Sequence, residues 1–241
     1  MRILVLSDIH SNLTALQAVV AAAGTVDAVW CLGDLVGYGP DPNEVIELAQ
    51  TLPNFSCLLG NHDAATLGLI ALEAFNREAQ ISIRWQREQL TTPNRAFLES
   101  LPEKLVLGAV TLAHGSPRNP VWEYLLEPFN AGENFASFDT RLCFVGHTHL
   151  PQCFFFTDDG RVERRLLNAG ETTELHDRAI INPGSTGQPR DHDPRAAYAI
   201  FDDRTQTWDQ CRVQYDTKAV SQRIMTAGLP ARHAARLIEG W

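Results

Sequence analysis

Residues 143–152 read CFVGHTHLPQ. An apolar run, Cys143-Phe144-Val145, reaches a glycine and then presents two histidines, His147 and His149, one residue apart. A strand that only fills a core needs no such ending. The same construction recurs along the chain. ILVLSDIH (3–10) ends in Asp8 and His10, and VWCLGD (29–34) ends in Asp34. CLLGNHD (57–63) ends in Asn61, His62 and Asp63, and VTLAHG (110–115) presents His114. Five of the eight histidines therefore follow apolar runs, accompanied by carboxylates and an amide. His176, His192 and His233 follow no such rule and read as surface or loop residues.

Short apolar runs alternate with helical patterns, which is the layout of an α/β protein. Helices are predicted over 12–24, capped by Ser11 or Asn12, over 41–50, with Asp41 at the N-cap and Pro42 at N1, and over 216–239. Residues 64–100 are rich in helix formers, and 104–115 reads as two strands around a tight turn. Most of the remainder (152–156, 161–167, 178–181, 196–202, 207–213) reads as strand. In open α/β sheets, sites form beyond the carboxyl ends of strands. The five endings are thus expected on one rim. The Asp-x-His and His-x-His spacings fit side chains pointing the same way from an extended segment. Each ending alone suits a turn or a helix cap. Together, imidazole, carboxylate and amide donors suit first-row divalent metals, and they outnumber the needs of one ion. Two ions sharing a ligand would polarise a phosphoryl oxygen and make hydroxide available near neutral pH.

Composition bounds the rest. With 241 residues, 44% of them hydrophobic, the chain suits one large domain. No apolar run approaches the roughly 18 residues of a membrane span, and the opening MRILVLSDIH lacks the pattern of a secretory signal. Five scattered cysteines fit buried thiols in a reducing cytoplasm better than a disulfide framework. A formal charge of −9 disfavours an extended nucleic-acid partner, which calls for a basic surface.

The series D-x-H, G-D, G-N-H-D, H-G and G-H-T-H, in that order over residues 8–149, resembles the calcineurin-like metallophosphoesterase superfamily. GDLVGYGPDPNEV (33–45), HGSPRNPVWEYL (114–125) and INPGSTGQPRDHDPRAAYAIFD (181–202) resemble its bacterial and archaeal phosphodiesterase-like branch. The resemblance implies two facing mixed β-sheets flanked by helices, a four-layer α/β/β/α domain over 1–241, with 64–104 as a helical cap insertion. It implies two divalent ions (Mn, Fe, Zn, Ni or Co), one held by Asp8, His10 and His149, the other by Asn61, His114 and His147, with Asp34 bridging. A hydroxide between the ions would attack phosphorus, and His62 would protonate the leaving group or stabilise its charge. The implied substrate is a small phosphodiester or nucleotide-like molecule. The phosphoprotein phosphatases of the superfamily read G-D-x-x-D-R-G where this chain has GDLVGYG. Gly37 and Tyr38 replace their histidine-orienting carboxylate and phosphate-binding arginine, which argues against a protein phosphatase. Asp63, Asp41 or a backbone carbonyl is left to orient His62.

Phe75, Arg77, Arg84, Trp85, Arg118, Trp122, Tyr124 and Arg190 are candidates for reading the substrate, each with a plainer alternative in core packing or a surface ion pair. The C-terminal helical stretch reads as a cover for a sheet edge or an oligomer contact, with its basic residues on a solvated face. Alternatives in function are a diadenosine-polyphosphate hydrolase, a phosphomonoesterase, and a silent scaffold that kept the fold.

Overall fold

The structure, a computed structural model, describes residues 1–157, 159–176 and 178–241. The chain begins β1 (Arg2–Leu6), α1 (Leu13–Ala23), β2 (Ala28–Cys31), α2 (Pro42–Gln50) and β3 (Ser56–Cys57). Three helices follow, α3 (Asn61–Leu67), α4 (Arg77–Gln89) and α5 (Thr92–Glu99). Then come β4 (Lys104–Leu107), β5 (Val110–Ala113), α6 (Pro128–Asn134), β6 (Leu142–Phe144), β7 (Pro151–Phe156) and β8 (Val162–Leu166). The chain closes with β9 (Thr172–Glu174), β10 (Ala179–Pro183), β11 (Ala196–Asp202), β12 (Thr207–Val213), α7 (Thr217–Thr226) and α8 (Ala231–Glu239).

The strands form two mixed six-stranded sheets, ordered β3-β2-β1-β11-β12-β9 and β4-β5-β6-β10-β7-β8. Alternation along the strands makes the layers. Ile3 and Val5 of β1 face the second sheet and meet Trp30, Phe144, Ile181, Phe201 and Trp208. Leu4 and Leu6 face outward, against Leu16 and Val19 of α1 and Val45 and Ile46 of α2. On the second sheet Cys143 and Phe154 turn outward to Ala131 of α6 and to Phe135. Strands buried on both faces read as unbroken apolar runs, which is why the sequence shows no period-2 pattern there.

Local chemistry sets the helix starts. Asn12 caps α1 by accepting from the Ala15 amide at 3.1 Å. Pro42 opens α2 with Asp41 at the N-cap, as expected, but the Asp41 side chain makes no capping bond. Its carboxylate instead pairs with Arg223 of α7 at 2.9 Å and accepts from the Leu13 amide. The short β9 escapes a periodicity reading because it has only three residues. Its middle residue, Thr173, is buried and carries no apolar signal.

The topology places the site. β1, β2 and β3 run parallel, as do β5, β6 and β10. Their carboxyl ends share one edge of the sandwich, where the connecting loops meet. No helix among the described residues is long and apolar enough to cross a membrane.

Candidate metal centre

The five loops converge, though not by strand alternation. Asp8, His10, Asp34, His147 and His149 all lie in the left-handed backbone region, at φ between 49° and 66°. The loops turn sharply at these residues. Such conformations cost of order 1 kcal/mol or more each and persist where the surroundings impose them. The consequence is visible at the opening motif. His149 joins Asp8 and His10, whereas His147 joins Asp34 and His114.

Asp8 and Asp34 each have one carboxylate oxygen tied and one free. Asp8 Oδ2 accepts from Ser7 Oγ (2.6 Å) and the His147 amide (3.0 Å). Asp8 Oδ1 has no hydrogen-bond partner and faces His149 Nε2 at 3.3 Å and His10 Nε2 at 3.9 Å. Asp34 Oδ1 accepts from the His62 amide at 2.8 Å. Asp34 Oδ2 is unpartnered, 3.6 Å from His10 Nε2 and 3.4 Å from His114 Nε2. Asp34 thus lies between the two groups.

The imidazoles are oriented from behind. Nδ1 of His10 donates to the Val36 carbonyl (3.0 Å), that of His114 to Leu32 (2.9 Å) and that of His149 to Gln188 (2.5 Å). His147 donates from Nε2 to the Trp122 carbonyl at 3.1 Å. A carbonyl only accepts, so each contact fixes the tautomer and leaves the other nitrogen with its lone pair. The lone pairs of His10 and His149 then confront each other at 3.2 Å, while Nε2 of His114 lies 3.1 Å from Asn61 Oδ1. Acceptors facing acceptors in a dry cleft repel unless a cation lies between them. The clustered carboxylate and imidazole donors suit a divalent cation.

Charge follows burial. Burial, and then neighbouring positive groups, hold His10 and His149 below the ordinary imidazole value, and His147 is lowered to about 3. Burial also pulls on His114, but the Asp34 carboxylate reverses this and raises it to about 9. Burial would raise Asp8 and Asp34, yet the surrounding imidazoles keep both low. His62 is pushed well below its ordinary value by burial, with Asp34 opposing only in part.

His62 is held by contact. Its Nδ1 has no partner, and its ring packs against Tyr38 (centroids 4.4 Å apart), His10 (4.9 Å) and Phe75 (5.1 Å). Gly37, at φ +105°, allows this, because a Cβ there would sit 2.7 Å from His62 Nδ1. Neither carboxylate suggested by the sequence orients the ring. Asp41 is paired with Arg223. Asp63 accepts the amides of Asp34 (2.9 Å), Val36 (3.0 Å) and Gly60 (3.0 Å), and so ties two site loops together.

The end of β10 is a sixth strand end, which carries Asn182 but no Asp or His donor. Ser185 Oγ donates to the Asp8 carbonyl at 2.8 Å, the Thr186 amide to Ser7 and the Gly187 amide to Asp8. Asn182 donates to the Gly146 carbonyl at 2.6 Å. At Gly146 a side chain would collide with Ser7 Oγ, so glycine there lets the β1 and β6 loops touch. A strand followed by small polar residues was the available signal.

The outlying candidates divide. Phe75 and Trp122 meet edge to face at 5.1 Å, and Tyr124 stacks on His147 at 3.8 Å, so these three line the rim. Trp85 packs instead on the α7–α8 cluster. Arg118 forms surface pairs with Glu123 and Glu133. Arg190 avoids Asp191 and Asp193 and reaches the Tyr38 hydroxyl at 3.4 Å. His233 is not a surface residue: it is buried in α8, edge-on to Tyr38 at 4.8 Å.

A family model of the calcineurin-like phosphoesterase superfamily domain matches residues 1–206, and the chain belongs to that family. A metallophosphoesterase structure from Sphaerobacter thermophilus is similar at a TM-score of 0.92 and 45% identity, covering 100% of this chain and 99% of that one. An uncharacterised protein of Methanocaldococcus jannaschii is 39% identical over 99% of this chain and 98% of its own length. A symmetrical bis(5'-nucleosyl)-tetraphosphatase of Photorhabdus laumondii is 32% identical over 100 residues, 35% of this chain and 36% of that protein.

Proposed function

We propose that this phosphoesterase-family chain is a metal-dependent hydrolase of phosphodiester or nucleotide-like substrates, acting as one catalytic unit over 1–241 with 64–104 as a cap. The observation that carries the reading is the pair of buried, unpartnered carboxylate oxygens of Asp8 and Asp34, each facing imidazole nitrogens fixed by carbonyls behind them. Asp8, His10 and His149 would hold one divalent ion, and Asn61, His114 and His147 the other, with Asp34 shared. When bound, the ions would polarise the phosphoryl group and make a hydroxide nucleophile available near neutral pH.

The chain's own residues supply the rest. His62 faces the site beside Asp34, with a neutral ring. It would stabilise the departing oxygen by donating a hydrogen bond from Nε2. The aromatic rim of Phe75, Trp122 and Tyr124 would exclude water from the reacting group and offer a face for a nucleobase. His62→Ala is expected to lower turnover of bis(4-nitrophenyl) phosphate by roughly 10²-fold while metal content stays at the wild-type level. Unchanged turnover would remove His62 from the mechanism.

His114 gives the reading a pH signature. Its folded value of about 9 lies above the ordinary imidazole value. In the metal-free protein its charge therefore stabilises the fold below the ordinary imidazole range, and that contribution is lost as pH rises through about 9. A ligand imidazole must be neutral, so metal uptake near neutral pH expels a proton. Calorimetry in buffers of different ionisation heat should detect proton release near pH 7.5 that fades above about 9. Uptake without proton release would show that His114 is not a ligand.

A second reading, hydrolysis of dinucleoside polyphosphates, is favoured by the similarity to the Photorhabdus tetraphosphatase. Chromatography of nucleotide products decides it, since an unaltered dinucleotide excludes this activity.

A further inference from the structure

The imidazoles of His10, His114, His147 and His149 are each fixed by a carbonyl, whereas His62 Nδ1 is buried without a partner. The direction of the His62 ring therefore depends on the side chains packed against it, Tyr38 (centroids 4.4 Å apart), His10 (4.9 Å) and Phe75 (5.1 Å). His10 is held by the Val36 carbonyl, and Phe75 directly precedes Asn76, the N-cap of α4. Tyr38 is the neighbour whose own support lies outside the metal centre, in the α7–α8 hairpin. That hairpin follows the family-matched residues 1–206.

Tyr38 is in the left-handed backbone region, at φ 52°, which a bulky side chain adopts only where its surroundings impose it. Gln86 of α4 donates to the Gly39 carbonyl at 2.7 Å and so holds the chain beside it. The ring is held differently. Its hydroxyl has a long contact with Arg190, at 3.4 Å, and His233 of α8 meets the ring edge-on at 4.8 Å. Val220, Ile224 and Leu237 of the hairpin line the small gap next to Tyr38 and His233. Without the His233 ring that gap would widen, and Tyr38 could turn away from His62.

His233 is itself fixed. Its Nε2 donates to the Glu78 carbonyl in the first turn of α4, at 3.3 Å. Burial lowers its pKa to about 4, so the ring is neutral near pH 7. Its Nδ1 is buried without a partner. An imidazole buried with one nitrogen unpartnered destabilises the fold relative to an apolar side chain of similar size, so packing alone does not account for a histidine there.

We propose that His233 is a positioning residue for the leaving-group step: by bracing the Tyr38 ring it sets the His62 ring toward the metal centre. This rests on the phosphoesterase reading above, in which His62 stabilises the departing oxygen.

The test pairs kinetics with the His62 ring signal. His233→Ala should lower kcat for bis(4-nitrophenyl) phosphate roughly tenfold with KM and metal content near the wild-type values, because a small misplacement of a hydrogen-bond donor acts on the chemical step. In the His62→Ala background the same change should have no further effect. His233→Phe, which keeps a ring against Tyr38, should restore most of the turnover, and His233→Gln, which keeps only a donor for Glu78, should not. In isotope-labelled, zinc-loaded protein the His62 ring resonance, assigned from the spectrum of His62→Ala, should shift or broaden in His233→Ala and stay in place in His233→Phe. Should His233→Ala fail to fold, His233→Gln carries the same comparisons. An unmoved resonance overturns the proposal, as does an equal loss with and without His62, or turnover restored by glutamine and not by phenylalanine. A wild type that turns over no phosphoester, while its His62 signal still responds to His233, would instead remove the enzyme reading and leave the positioning contact standing.

Discussion

Asp34→Asn should abolish turnover, by roughly 10³-fold or more, and lower the metal content of a protein that still folds. Asn keeps an oxygen for the His62 amide, now held by Asp34 Oδ1 at 2.8 Å, so the loop retains its anchor. What changes is the other arm. Oδ2 is the unpartnered atom lying 3.6 Å from His10 and 3.4 Å from His114. An amide nitrogen there points hydrogens into the space a cation would share and removes its only shared negative charge. Metal analysis beside circular dichroism separates a lost site from a lost fold. Turnover within tenfold of wild type would show that Asp34 is not shared between two ions.

Asp63→Ala should cost stability more than any other single truncation near the site, about 3–5 kcal/mol in urea unfolding. Three backbone amides, from Asp34, Val36 and Gly60, end on this buried carboxylate and lose their acceptor when it is truncated. Each stranded donor costs about 1–3 kcal/mol. Asp63→Asn keeps one accepting oxygen and should fall between wild type and alanine. A cost below about 1 kcal/mol for the alanine variant would mean that other contacts hold these loops.

The two residues mark where the sequence could be read and where it could not. Asp34 was legible because its type, its place after an apolar run and its companions all point to metal chemistry. Asp63 stands in the sequence as one of three candidates for orienting the His62 ring, with Asp41 and a backbone carbonyl, and adjacency says nothing about where a carboxylate turns. The strands were legible for a related reason: segments buried on both faces are apolar throughout, and their ends are where polarity returns. The left-handed backbone at Asp8, His10, Asp34, His147 and His149 was hidden, since tertiary context imposes it against local preference. The extended-segment argument for Asp-x-His therefore reached the right neighbourhood through the wrong geometry. Contacts spanning long stretches of chain were hidden as well. Nothing near His233 in sequence shows that α8 packs on Tyr38. Ser185 and Asn182 come without an adjacent Asp or His, yet they buttress the loops bearing Asp8 and His147.

The central claim is that two divalent ions, held by these loops, make the chain a phosphoesterase. The most direct measurement strips the protein with chelator and follows turnover of bis(4-nitrophenyl) phosphate as Mn, Fe, Zn, Ni or Co is added back in known equivalents. Turnover should return with at least one of these ions and reach its plateau at two per chain. A plateau at one equivalent would contradict the shared centre, and no recovery with any of the five would contradict the enzyme.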